Sequence, residues 1–162
     1  EVPLGCYTNP KEYVIEGDAS SASYPLAIAA ITGGSVTVTN IGAHSLQGDA
    51  QFCKVLQQMG CEVEQTEHQT RVRGPSGSKR LRGVDVDMST MTDTFMTVCA
   101  LAAVADGRTR LTNIANQPVK ECNRIAVMVQ QLRKCGVRTD ELPDGIEVYG
   151  SLPDKLHGAP IE

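Results

Sequence analysis

The chain repeats itself, and the repeat limits what it can fold into more than any other feature. Val36-Thr37-Val38-Thr39-Asn40-Ile41 is answered by Thr109-Arg110-Leu111-Thr112-Asn113-Ile114, 73 positions later. Met59-Gly60 is answered by Cys135-Gly136, and Val72 with Gly74 by Val148 with Gly150, at an offset of 76. The three extra residues of the second copy fall in the loop from Asn116 to Lys120. A unit of about 75 residues is longer than a solenoid repeat, so each copy must carry several elements of its own.

Both copies predict the same elements. An extended lead-in (13–15; 84–86) runs into a nearly all-apolar helix (20–31; 93–105). Ser20 or Ser21, and Thr92 or Asp93, suit the helix N-cap, while Gly33-Gly34 and Gly107 suit the stops. A β-branched strand follows (35–39; 108–112). Next comes an amphipathic helix, with Phe52, Val55, Leu56 and Met59 on one face in the first copy and Ile125, Met128, Val129 and Leu132 in the second. Two short strands close each unit (62–65 with 70–73; 137–140 with 145–149), and Pro143-Asp144-Gly145 marks a tight hairpin. The pattern is βαβαββ, twice, an α/β chain with unit 1 at 13–74, a linker at 75–83, unit 2 at 84–150 and a tail at 151–162. The first helix of each unit is apolar on every face and is expected inside, with the sheets facing out.

Composition closes off other classes. Basic residues thicken only between Arg71 and Arg82, with no aromatic among them, and aromatics make up 4% of the chain. Nucleic-acid surfaces pair such charge with stacking groups, so that stretch reads as a solvated loop and no nucleic-acid partner is expected. No apolar run nears the ~20 residues that span a bilayer, so no membrane partner is expected. The six cysteines form no CxxC pair. Cys99 lies in the apolar run 98–105 as a small core residue, and the set suits a reducing, cytoplasmic setting over a disulfide framework. His44, His68 and His157 have no ligand or triad partners at a telling spacing. The chain opens on Glu1 and not on methionine, which suggests an excised piece.

One stretch carries candidate chemistry. Lys120-Glu121-Cys122-Asn123-Arg124-Ile125 places a lysine, a glutamate and an arginine on the expected opening turns of a helix, one turn after Asn116. Unpaired N–H groups and the dipole gather positive potential at a helix start. With Lys120 and Arg124 this makes an anion site, and Glu121 is a proton-transfer group beside it. The bland reading is a set of solvated charges, with Asp93 an ordinary N-cap. Asp18-Ala19-Ser20-Ser21 and Ser45-Leu46-Gln47-Gly48-Asp49 suggest phosphate loops, but read better as caps and interdomain packing. Gly77-Ser78-Lys79-Arg80 has a phosphate-site look in the wrong place, between repeats, and is set aside.

The chain resembles 5-enolpyruvylshikimate-3-phosphate (EPSP) synthases over 13–149. The likeness rests on Glu16-Gly17-Asp18-Ala19-Ser20-Ser21-Ala22-Ser23-Tyr24, Ser45-Leu46-Gln47-Gly48-Asp49, Met59-Gly60, Asp87-Met88 with Asp93 and Met96-Thr97, and Val119-Lys120-Glu121 with Arg124. Cys122-Asn123 is closer to the version in fungal pentafunctional AROM polypeptides than to bacterial ones. The resemblance implies an inside-out α/β domain of three βαβαββ units, two of them here. It also implies transfer of enolpyruvyl from phosphoenolpyruvate to the 5-hydroxyl of shikimate 3-phosphate, with no metal or organic cofactor. By the same resemblance Asp93 meets the 5-hydroxyl as the proposed base, and Asn116 and Lys120 bind shikimate 3-phosphate. Glu121 and Arg124 fall at the phosphoenolpyruvate end, the glutamate as a proton relay. Anion-binding groups of the third unit and of a second domain are implied partners that this chain lacks, and in an AROM parent the other catalytic domains would share the chain. The isolated chain is therefore expected to fold without turning over. Two other readings stand beside this one: an enolpyruvyl transferase acting on a UDP-N-acetylglucosamine-type nucleotide sugar, and a non-catalytic anion-binding or structural module.

Overall fold

The computed structural model describes residues 3–161; Glu1, Val2 and the terminal Glu162 of the tail lie outside the described residues. Helix α1 (Ala19–Thr32) starts where the Asp18 carboxylate accepts from the Ser20 N–H at 3.0 Å, and stops at Gly33 in the left-handed conformation. Strand β1 (Ser35–Thr39) follows, then helix α2 (Phe52–Gln58) and the hairpin of β2 (Glu62–Gln65) and β3 (Gln69–Arg73). The second half gives β4 (Asp85–Asp87), α3 (Phe95–Ala103), β5 (Arg108–Thr112), α4 (Arg124–Lys134), and the hairpin of β6 (Arg138–Leu142) and β7 (Gly145–Tyr149). Leu142 faces Gly145, so the hairpin turns on Pro143-Asp144 alone.

Two sheets form, β1-β3-β2 and β4-β5-β7-β6. All pairs are antiparallel except β4 with β5. The shared α/β pattern is an echo down to single residues: Asn40 and Asn113, equivalent in the repeat, both turn the chain with positive φ, 62° and 61°. Asparagine tolerates that conformation better than any β-branched neighbour would.

The strands alternate, which places the core. Thr70 and Val72 of β3 and Thr109 and Leu111 of β5 point inward, while Arg71, Arg73, Arg108 and Arg110 point out. Helices α1 and α2 pack on the first sheet and α3 and α4 on the second, with α1 against α3 between them. Phe52, Leu56, Met59, Val72, Met88, Phe95, Leu101, Leu111, Ile125 and Ile146 belong to one continuous cluster. Each such side chain contributes about 1.5–3 kcal/mol on burial. Ser23 and Thr97, buried in α1 and α3, satisfy each other at 3.0 Å between hydroxyls.

The structure corrects four sequence expectations here. Residues 13–15 form no strand; Tyr13, Val14 and Ile15 lie exposed, held through Asn40 Nδ2 donating to the Ile15 carbonyl. Helix α1 is not buried all round, because Tyr24, Ile28 and Ile31 form an exposed apolar stripe one and two turns apart. Composition showed that every face was apolar but could not show which face lacks a neighbour. The N-cap of α1 is Asp18, not Ser20 or Ser21. The 71–82 stretch is no solvated loop: Arg71 and Arg73 belong to β3, and Leu81 is buried in the core. Arg80 pairs with Asp106 and donates to the carbonyls of Val104 and Ser151, which ties the connection to the second half.

Candidate functional site

Asp93 sits in a 3-10 turn, Thr92–Thr94, that leads into α3, and makes no cap bond. This overturns the N-cap reading, because its carboxylate is engaged elsewhere. Arg124 Nη1 donates to Asp93 Oδ1 at 3.0 Å, and Lys120 Nζ stands 3.7 Å from the same oxygen. Both cations come from the segment after β5, which crosses over the start of α3.

That segment is not the opening of a helix. Asn116 begins a 3-10 turn, Gln117–Val119, and Lys120 ends it. Helix α4 starts only at Arg124, capped by Asn123, whose side chain accepts from the Ala126 N–H at 3.1 Å. Lys120 and Glu121 therefore lie before the helix, and Pro118 with the asparagine cap accounts for the break. The local consequence is useful: a loop can turn Lys120 toward Asp93, whereas a helix would fix its direction by the turn below it.

The five sequence candidates come together. Arg124, with a side chain only 17% exposed, also reaches Glu121, which is 75% exposed. Burial works against the Arg124 charge, yet the Glu121 and Asp93 carboxylates outweigh it and hold the guanidinium above its usual pKa. Glu121 is held below the usual carboxylate range, first by its own backbone N–H and then by Arg124. Asn116 Nδ2 donates weakly to Thr92 Oγ1 at 3.4 Å, beside Asp93.

Residues outside the candidate list complete the cluster. Gln117, wholly buried, joins Asp93, Asn116 and Arg124 through its amide. No sequence signal marked it beyond its place next to Asn116. From the first half, Ser20 Oγ donates to Asp49 Oδ2, and burial pushes the Asp49 carboxyl up, with the Asp93 charge adding to the rise. The loop carrying Asp49 is pressed against the second half: a Cβ on Gly48 would lie 1.7 Å from the Thr90 carbonyl oxygen. Gln47 links the same loop to α1, accepting from the Ala19 N–H and donating to Glu16 and Gly17. In the two quoted motifs, Asp18 caps α1 and Gly48 packs against Thr90. Among the described residues no three His, Cys, Asp or Glu side chains gather as a metal ion needs, and no helix is long and apolar enough to cross a membrane.

An acid gripped by a lysine and an arginine lies at the join of two α/β halves with helices between their sheets, and the fold around it has the α/β architecture of enolpyruvyl transferases. EPSP synthase from Acinetobacter baumannii superposes with a TM-score of 0.72 at 30% identity, over 84% of this chain and 32% of that one. The enolpyruvyl transferase NikO from Streptomyces tendae superposes at 0.62 with 16% identity, over 84% and 31%, a likeness of fold alone. The model of the EPSP synthase (3-phosphoshikimate 1-carboxyvinyltransferase) family matches residues 5–162, and the chain belongs to that family. It is similar to the pentafunctional AROM polypeptides of Scheffersomyces stipitis (58% identical over 159 residues, 96% of this chain) and Schizosaccharomyces pombe (58% over 156 residues, 92%). It spans 10% of the length of each of these relatives.

Proposed function

We propose that this chain is the part of a 3-phosphoshikimate 1-carboxyvinyltransferase that contributes Asp93, Asn116, Lys120, Glu121 and Arg124 to the transfer of enolpyruvyl from phosphoenolpyruvate to the 5-hydroxyl of shikimate 3-phosphate. The observation that carries the reading is the double grip of Lys120 and Arg124 on one Asp93 oxygen. Such an arrangement holds a carboxylate in place and keeps two cations at hand for anions. An incoming phosphate or carboxylate competes with Asp93 for them. Once Lys120 and Arg124 turn to substrate anions, Asp93 is free to accept the hydroxyl proton, while Asn116 orients the sugar-like ring by hydrogen bonds. Glu121, exposed and beside Arg124, relays a proton from solvent to the methylene carbon as the 5-oxygen bonds to the neighbouring carbon. It takes a proton back from the new methyl group as the carbon–oxygen bond to phosphate breaks and phosphate leaves.

Further parts belong to the same reading. Residues 13–74 and 84–150 are two units of a three-unit domain, joined by the linker at 75–83, and the tail at 151–162 leads onward. The apolar stripe of Tyr24, Ile28 and Ile31 is the face on which the third unit packs. The remaining anion-binding groups come from outside this chain, so the isolated chain has no measurable turnover. The parent is an AROM-type polypeptide working in the cytoplasm. No metal or organic cofactor takes part. The nucleotide-sugar alternative finds less support, because the likeness to a transferase outside the EPSP synthases is confined to fold.

The test is a transplant. This chain replaces its counterpart in the Schizosaccharomyces pombe AROM polypeptide, and phosphate release from phosphoenolpyruvate is followed with and without shikimate 3-phosphate. The reading expects activity that depends on shikimate 3-phosphate, and a fall of about 100-fold or more for Asp93→Asn, the scale of a lost general base. A soluble chimera that lacks this transfer, or one that is indifferent to Asp93→Asn, overturns it.

A further inference from the structure

Gln117 is a wholly buried polar side chain in a loop whose neighbours are exposed or half-exposed. Its Oε1 accepts from Arg124 Nη1 at 3.0 Å. Its Nε2 donates to Asp93 Oδ1 at 3.4 Å and to Asn116 Oδ1 at 3.3 Å. Its backbone N–H is tied to the Ile114 carbonyl at 2.9 Å, and Ile114 is itself fully buried. Pro118 then limits the backbone that follows. The side chain is thus rooted in the core and turned into the charged cluster.

The chemistry of its partners fixes what can stand there. A guanidinium only donates and a carboxylate only accepts, so a group between them must present an acceptor to one and a donor to the other. A carboxamide does both on one plane. Glutamate would meet Arg124 but repel Asp93; methionine would fill the space and bond to neither. The need for that pairing also fixes the amide orientation, oxygen toward Arg124 and nitrogen toward Asp93.

We infer that Gln117 is the positioning residue of the site, holding Asp93 and Arg124 in register through one buried amide, so that Asp93 keeps its place when Arg124 turns to an incoming anion. The inference rests on the proposed role of Asp93 and Arg124. Gln117 itself touches neither substrate nor proton. Packing alone would make Gln117→Met silent, since methionine is similar in length and adapts to irregular space. Positioning makes Gln117→Met disruptive, and Gln117→Glu selective for Asp93.

The experiment is NMR of this chain carrying 15N-arginine and 13C-aspartate, comparing the wild type with Gln117→Met and Gln117→Glu. Rotation of the Arg124 guanidinium is expected to quicken about tenfold in Gln117→Met, the scale of losing one charge-assisted hydrogen bond. Amide exchange in α3 and β5 should stay as in the wild type. Gln117→Glu should keep the slow Arg124 rotation while the Asp93 Cγ resonance moves. Slow Arg124 rotation in a folded Gln117→Met overturns the inference. Should Gln117→Met not fold, Gln117→Asn, whose amide falls one methylene short of spanning both partners, decides by the same rotation rate. A parallel titration with shikimate 3-phosphate separates the two readings. A chain that binds it, with about tenfold loss in Gln117→Met, supports both. A wild-type chain that does not bind alone leaves the functional reading to the chimera, while the ligand-free rotation rates still decide Gln117.

Discussion

Replacing Arg124 by methionine tests the electrostatic core of the site through stability alone. The substitution keeps most of the aliphatic stem and removes the guanidinium, whose side chain is only 17% exposed. Two costs follow. A hydrogen bond to a charged group is worth about 1.5–3 kcal/mol when buried, and the 44% exposure of Asp93 reduces this pair to about 1 kcal/mol. The second cost is Gln117 Oε1, left without its donor in a residue at 0% exposure, at about 1–2 kcal/mol. Glu121 is too exposed to enter the sum. The total is about 2–3 kcal/mol, or a fall in Tm of about 4–12 °C for a chain of this length. Thermal and urea unfolding by circular dichroism at pH 7 reads it, at low salt and at 1 M. Salt should shrink only the Asp93 part, because screening does not replace the missing donor to Gln117. The double variant with Gln117→Met should cost little more than Arg124→Met alone, since the orphaned oxygen goes with it. A loss below about 0.5 kcal/mol, or full additivity in the double variant, refutes the reasoning.

Asp18→Ala should lower Tm by a few degrees at neutral pH through loss of the α1 cap. The Ser21 hydroxyl and backbone N–H groups hold the Asp18 carboxyl below its ordinary 3.8, so its contribution is present above that value and fades as pH falls through the lower folded one. The wild-type and variant melts should therefore differ at pH 7 and converge in acid; a difference that grows in acid contradicts the assignment. Iodoacetamide at pH 8 should label exposed Cys6 and Cys122 first and spare Cys53, Cys61 and Cys99 until unfolding. Burial pushes the Cys61 thiol up to about 11 and Cys99 higher still, so peptide mass mapping that finds Cys99 modified as fast as Cys6 refutes that core placement. Gly48→Ala, whose Cβ would sit 1.7 Å from the Thr90 oxygen, should lower Tm by several degrees and speed amide exchange across Gly48–Gln51; unchanged exchange there would contradict the close approach.

The candidate site was legible as residue types but not as geometry. Lys120, Glu121 and Arg124, with Asn116 one turn before them, could be named from local order, whereas Asp93 was marked as a site residue only by the family resemblance. That Asp93 faces two cations could not be read, since Asp93 and Arg124 lie 31 positions apart and meet only because α3 and α4 share a sheet. Gln117 escaped notice for the same reason. A lone glutamine in a polar loop resembles a solvated residue until the fold encloses it, and its three bonds reach partners on different elements.

Local chemistry sufficed for what periodicity and turn residues govern. Alternation set the inward and outward faces of β3 and β5, Pro143-Asp144 set the hairpin, and the repeat set the αβαββ order that both halves share, though not the leading strand, which only the second half has. These depend on neighbours a few residues apart, which the sequence places directly. Tertiary structure alone decided which apolar face of α1 stays open, that Arg80 would be drawn into the join, and that Lys120 would face Asp93. Each of these depends on what stands across a gap in space, and a burial or an ion pair is fixed by the partner as much as by the residue itself.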